Sequence, residues 1–221
     1  MIVKVNQKGY VSMPYAVSAP KLIIKDIDGN EYDTVNIGTQ QWIVENLKTT
    51  HYADGSAIPN LTTNGDWLAD TTGAYCWYNN AISNKTPYGA LYNWYAVTNA
   101  HSLAYFTKNG VQEVGWRVPT TSDWTILQNY LLGEVSGGLL KEVGLDHWNF
   151  PNTGASDAYG FKTVGSGDRN SNGSFDNLKL LTKIWSSNNS MVMFISYTTV
   201  NSELGGWDLN WGCSVRCVRN I

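Results

Sequence analysis

GWRVPTTSDWTILQNYLL (115–132) holds the local decision on which the rest of the fold turns. Pro119 has no backbone N–H and stops the extended run before it. Thr121 or Ser122 can then cap a helix. Trp124, Leu127 and Leu131 recur at helical spacing and form its buried stripe. The stretch therefore reads as a strand end followed by a helix. Upstream, YGALYNWYAV (88–97) reads as a shorter helix with Leu91, Trp94 and Tyr95 on one face. Further upstream, KLIIKDIDGNEYDTVNIGTQQWIVENL (21–47) reads as a strand, a tight turn at Asp28-Gly29-Asn30, a second strand and a third around Trp42. Residues 48–88 are rich in turns. Downstream of the helix, Gly-rich loops lead into short strands between Phe161 and Ile221. Strands, two helices, then strands with long loops describe an α+β domain with helices packed on antiparallel sheet.

Composition narrows the function classes. Only 15% of the 221 residues are charged, while 13% are aromatic, including ten Trp. The net charge of −3 and the lack of a basic stripe argue against nucleic acid as a partner. No run of about 18 apolar residues exists, so no membrane span is expected. Asn6, Gln7, Lys8 and Gly9 interrupt any apolar signal core. That start reads as a protein made and kept in the cytoplasm, or one that leaves when the cell lyses. Residues 1–25 read as an appended arm or strand for docking or oligomerisation, and 26–221 as the main domain. Cys213 and Cys217 are too far apart to pair on an extended strand. Cys76 could meet one of them, or all three could be buried thiols.

The strings DIDGNEYDTVNIGTQQWIVENLKT (26–49), GAYCWYNN (73–80), YGALYNWYAV (88–97), GWRVPTTSDWTIL (115–127), HWNFPNTGASDAYGF (147–161), RNSNGSFDNL (169–178), WSS (185–187) and GCSVRCVRN (212–220) fall in one order. Together they closely resemble the Fibrobacter succinogenes major paralogous domain family, over about residues 26–221. The resemblance implies a C-type lectin-like fold related to formylglycine-generating enzymes. Its N- and C-terminal strands would lie side by side, with two flanking helices and long irregular loops before the last strand. It further implies ligand binding through that irregular region. In related proteins of phages and gut bacteria, diversity-generating retroelements vary the stretch just before the final strand. Cys213 departs from the family pattern, which usually has an aromatic residue there.

The segment 188–211 carries the candidate ligand face. It is almost uncharged and rich in Ser, Asn, Thr and aromatic residues, a chemistry like that of antibody loops. Strand alternation predicts Val192 and Phe194 facing the core, with Asn189, Met191 and Met193 facing out. The candidate ligand-binding residues are Asn188, Asn189, Ser190, Met191, Met193, Tyr197, Glu203, Trp207, Asp208, Asn210 and Trp211. Trp185 reads as core. Asp168, Asn170 and Asn172 copy the first half of a calcium-loop spacing, but Lys179 stands where a bidentate Glu is needed. Asp26-x-Asp28-Gly29 also hints at calcium, although acidic turn residues usually just bend the backbone. No cofactor is expected.

Catalysis is not expected either. The cysteine pair of formylglycine-generating enzymes is missing, and Cys217 matches the structural terminal cysteine instead. His51, His101 and His147 are scattered without a nucleophile motif. Glu134, Glu142, Asp146 and Asp157 fall in segments that read as solvated. The expected function is receptor binding at a phage tail tip, in the virion, after synthesis in the host cytoplasm. The partner would be a host cell-surface protein or glycan, and the arm would dock the protein or drive a homo-trimer. The alternative is a bacterial cell-surface or secreted adhesin or glycan-binding module.

Overall fold

The computed structural model describes residues 23–131 and 133–221. The expected arm lies outside the described residues up to position 22, and residues 23–25 already belong to the main sheet.

The chain opens with a three-stranded meander, β1 (Ile23–Asp26), β2 (Glu31–Ile37) and β3 (Gln40–Ile43). The Asp-Gly turn forms where the sequence places it. Gly29 adopts φ +78°, a left-handed conformation that glycine takes without a Cβ clash. Asp26 Oδ1 accepts the N–H groups of Asp28 and Asn30 at 3.0 and 2.9 Å, and Tyr32 donates its hydroxyl to Asp26 Oδ2 at 2.7 Å. The Asp26 carboxylate thus holds the turn, while that of Asp28 accepts from Thr49, Thr50 and His51.

Next come α1 (Asn64–Ala69), β4 (Tyr75–Trp77), α2 (Lys85–Tyr88), β5 (Ala90–Tyr92) and α3 (Trp94–Val97). The helix expected over 88–97 is therefore interrupted by the strand Ala90–Tyr92. Leu91 pairs with Cys76, and past Tyr88, the last residue of α2, only Trp94–Val97 is helical, with the Asn93 side chain accepting the Ala96 N–H at 3.1 Å. Gly89 ends α2 at φ +75°, and a Cβ there would come within 2.5 Å of Asn46 Cβ. Tertiary pairing with β4 overrides a helical pattern too short to hold by itself.

A hairpin of β6 (Phe106–Lys108) and β7 (Val111–Gln112) precedes α4 (Thr121–Tyr130). Thr120, one residue before the expected caps, caps this helix. Its hydroxyl accepts the Asp123 N–H at 3.2 Å, and Asp123 accepts the Thr120 N–H at 2.8 Å. Trp124, Leu127 and Leu131 are buried as expected, and Trp124 stacks on Trp42 at 4.6 Å. Each such side chain contributes about 1.5–3 kcal/mol by leaving water.

The chain then forms α5 (Ser136–Leu140), β8 (Ser166–Arg169), β9 (Phe175–Leu178), β10 (Leu181–Trp185), β11 (Met191–Ser196), β12 (Ser202–Gly206) and β13 (Val218–Asn220). One sheet runs β13-β3-β2-β1-β6-β7, another β12-β11-β10-β8-β9, and β4 pairs with β5. The sheets are antiparallel except where β8 runs parallel to β10. The last strand lies beside β3, not beside β1. The domain is thus a mixed α+β fold, mostly sheet with few helices. Among the described residues no helix is long and apolar enough to cross a membrane.

The five-stranded sheet has apolar neighbours on both sides. Trp185 and Val192 join a cluster with Tyr92 and Val215, whereas Ile184, Met193 and Ile195 join one with Trp42, Trp124 and Leu127. Behind β11, the buried ammonium of Lys141 donates to the carbonyls of Thr153, Ser196 and Thr199 at 2.8, 2.9 and 2.8 Å, and burial lowers its pKa to about 8.

Candidate functional site

The hairpin β11–β12 and the loop after it build an open cleft of 480 Å³ lined by Ser190, Gly206, Trp207, Asp208 and Trp211. Asn189 and Ser190 both have left-handed backbone, φ +59° and +45°, which turns the chain tightly into β11. Trp207 donates its N–H to the Ser190 carbonyl at 2.9 Å, closing the same end of the hairpin. Trp207 and Trp211 meet edge to face at 6.0 Å. Both are half-buried and pack against the core.

Beneath the rings lies a buried ion pair. Lys183 Nζ is 2.8 Å from Asp168 Oδ2, and both side chains are almost fully buried. The same ammonium stands 4.5 Å from the Trp207 ring centroid and 3.8 Å from that of Trp211. Burial pushes the Asp168 carboxyl above its ordinary value, against the pull of Lys183 and of the Asn177 amide. The only formal charge in the cleft lining is Asp208, which is exposed.

The sequence matches the Fibrobacter succinogenes major domain over residues 35–219. The chain belongs to that family. No curated protein and no solved structure matches it.

In this major-domain chain the structure brings together Ser190, Trp207, Asp208 and Trp211, and places half-buried Met191 beside them, opposite Gly206. The other expected face residues are elsewhere. Met193 is fully buried, not outward, because a second apolar layer covers that side of β11. Phe194, expected in the core, is half-buried and stacks on Trp207 at 6.5 Å. Asn188 serves α4: it accepts the Thr121 N–H at 2.9 Å and donates to the Thr121 hydroxyl at 3.2 Å. Asn210 ties the loop to α1, donating to the Asp70 carbonyl at 2.7 Å, while its own carbonyl accepts the Trp67 indole N–H at 2.7 Å. Asn189 is exposed in the turn. Tyr197 sits at the far end of β11 against the second cluster, and Glu203 lines a separate depression with Gln128 and Leu204.

The calcium spacing resolves into other bonds. Asp168 is held by Lys183, Asn170 donates to the Ser174 hydroxyl and to Asp176, and Asn172 accepts the Ser174 N–H at 3.0 Å. Among the described residues no three His, Cys, Asp or Glu side chains gather into a metal site. Glu142, read as solvated, is half-buried and bonded to His147 Nδ1 at 2.6 Å. Cys76, Cys213 and Cys217 are all buried free thiols. Sequence reasoning missed Lys183 and Phe194. The signal for Lys183 was present: a lone cation within the β-rich run LTKIW.

Proposed function

We propose that this major-domain protein is a ligand-binding protein of C-type lectin-like fold, and that it serves as a receptor-binding element of a phage tail tip whose contact face retroelement mutagenesis diversifies. The observation that carries the reading is the open, Trp-walled cleft formed by Ser190, Gly206, Trp207, Asp208 and Trp211, in which Asp208 is the one charged lining residue. It is built from the stretch just before the last strand, where the resemblance puts the varied residues. Rigid indole rings offer large contact area at low entropic cost, and Ser and Asp at the rim add adaptable hydrogen bonds. The face works by contact, without a cofactor, on a host cell-surface protein or glycan. Trimerisation on the virion would multiply weak single contacts into avidity.

A glycan-binding adhesin is the second reading. The edge-to-face Trp pair at an open cleft suits the apolar face of a sugar ring. Binding of the purified chain to intact host cells, with and without enzymatic removal of surface glycans, separates the two partner classes. Asp208→Arg should abolish cell binding at an unchanged melting temperature. Binding that survives this charge reversal removes the cleft from the reading.

A further inference from the structure

A second cleft, of 360 Å³, shares no lining residue with the Trp cleft. Its apolar walls come from Val44, Pro87 and Val164. Its frame is rigid. The Asn46 amide donates to the Tyr88 carbonyl at 2.8 Å and accepts the Arg216 Nε–H at 2.9 Å. Gly89 packs so closely on Asn46 that no side chain fits between them. Arg216 is fully buried at the base and spends further N–H groups on the carbonyls of Phe161 and Lys162. Among the described residues no carboxylate lies within ion-pair distance of its guanidinium, so its charge is met directly by backbone carbonyls and only at longer range by the Glu45, Asp157 and Glu142 carboxylates.

Several of the remaining polar atoms are unspent. Exposed Lys162 lines the cleft, and its ammonium has no partner among the described residues. Glu142 uses Oε2 on His147 Nδ1 at 2.6 Å, which leaves Glu142 Oε1 and His147 Nε2 without a partner among the described residues. The Thr86 hydroxyl is likewise unpartnered there. Glu45 adds a second carboxylate to the lining, one oxygen of which accepts the Asp33 N–H at 2.9 Å. The lining thus holds two carboxylates against one free ammonium and one buried guanidinium. An apolar pocket of this size with a few unsatisfied polar groups has the features of a preformed small-molecule site. A ligand of either single charge would leave one pair of these groups facing it unfavourably. A ligand carrying both charges satisfies each.

We propose that this cleft binds an aliphatic zwitterion of amino-acid size, its carboxylate on Lys162, its ammonium on Glu142 and its side chain against Val44, Pro87 and Val164. The ligand enters a pocket already shaped by the Asn46–Arg216 frame, so binding needs little rearrangement.

Calorimetric titration of the whole chain with L-leucine, leucinamide and 4-methylpentanoate tests this. Leucine should bind saturably with a Kd below about 1 mM, and each analogue, lacking one charge, about tenfold or more weakly. Lys162→Met should weaken leucine to the level of leucinamide and erase the difference between them. Glu142→Gln should do the same for leucine and 4-methylpentanoate. Asp208→Arg, in the other cleft, should leave leucine binding unchanged, which separates this site from the proposed receptor face. No saturable leucine binding up to about 10 mM, or equal binding of the three ligands, overturns the proposal. Should either variant fail to fold, the analogue series on the unaltered chain still decides.

Discussion

The ammonium of Lys183 stands 3.8 Å from the centroid of the Trp211 ring, while its salt bridge to Asp168 spans 2.8 Å. The aromatic wall of the cleft is therefore also the lid of a buried ion pair. Any contact made through these rings is thereby coupled to stability at this point of the molecule.

Removing one partner of that pair leaves an uncompensated buried charge. Lys183→Met should cost about 3–5 kcal/mol in urea unfolding. The double variant Lys183→Met/Asp168→Asn should cost less than the single one, because the stranded carboxylate is gone. A double variant as unstable as the sum of both singles would mean that packing, not charge, dominates here.

Trp211→Ala should weaken partner binding and also lower stability, by about 2–3 kcal/mol, somewhat under the ~3–5 typical of a fully buried ring. Asp208→Ala, at the exposed rim, should stay within about 0.5 kcal/mol of the parent while still weakening the partner. Thermal melts beside cell-binding titrations read both effects.

Met191 and Met193 differ by two positions and should behave oppositely to what a simple one-sided strand suggests. Both point to the side away from Val192, yet only Met193 is sealed under the second cluster. Met193→Ala should cost about 2–5 kcal/mol through the cavity it leaves. Met191→Ala, half-buried beside Gly206, should cost under about 1 kcal/mol.

The thiols should be silent in the native state. Burial pushes Cys76 up to about 12, and Cys213 and Cys217 are raised as well by loss of solvent. A thiol-disulfide reagent at pH 8 should label none of the three in the folded chain and all three in denaturant. Rapid labelling of any native thiol would contradict this burial.

Acid should weaken the fold through Asp28 and Asp70. Desolvation opposes ionisation of each, but hydrogen bonds outweigh it: Asp28 accepts from Thr49, Thr50 and His51, and Asp70 from Thr72, Gly73 and Asn93. Both carboxyls are held below the ordinary 3.8. The folded state thus favours their charged forms. That stability is fully present above 3.8 and is lost as pH falls through the lowered folded values. Asp28→Asn and Asp70→Asn should each flatten the acid limb of a stability-against-pH curve.

Local features of the fold were legible because their causes lie within a few residues. The Asp28-Gly29 turn needs only a glycine at positive φ and an acceptor two residues before it. The helix at Thr121–Tyr130 needs only its cap and its Trp124, Leu127 and Leu131 stripe, although the capping position shifted to Thr120. The candidate face was half legible: Ser190, Trp207, Asp208 and Trp211 do meet in one cleft.

The sequence by itself determined the mixed α+β class, the turn chemistry, the main helix and membership of a family that spans 35–219. Only the tertiary structure decided which side of β11 is buried, that Lys183 lies under Trp207 and Trp211, and that Asn188 and Asn210 bind α4 and α1 in place of a ligand. The reason is physical. Alternation along a strand records two faces but not what lies over each, and β11 has apolar layers on both. A polar side chain's partner, likewise, is set by residues that sequence distance hides, as with Trp67 and Asn210, which stand 143 positions apart.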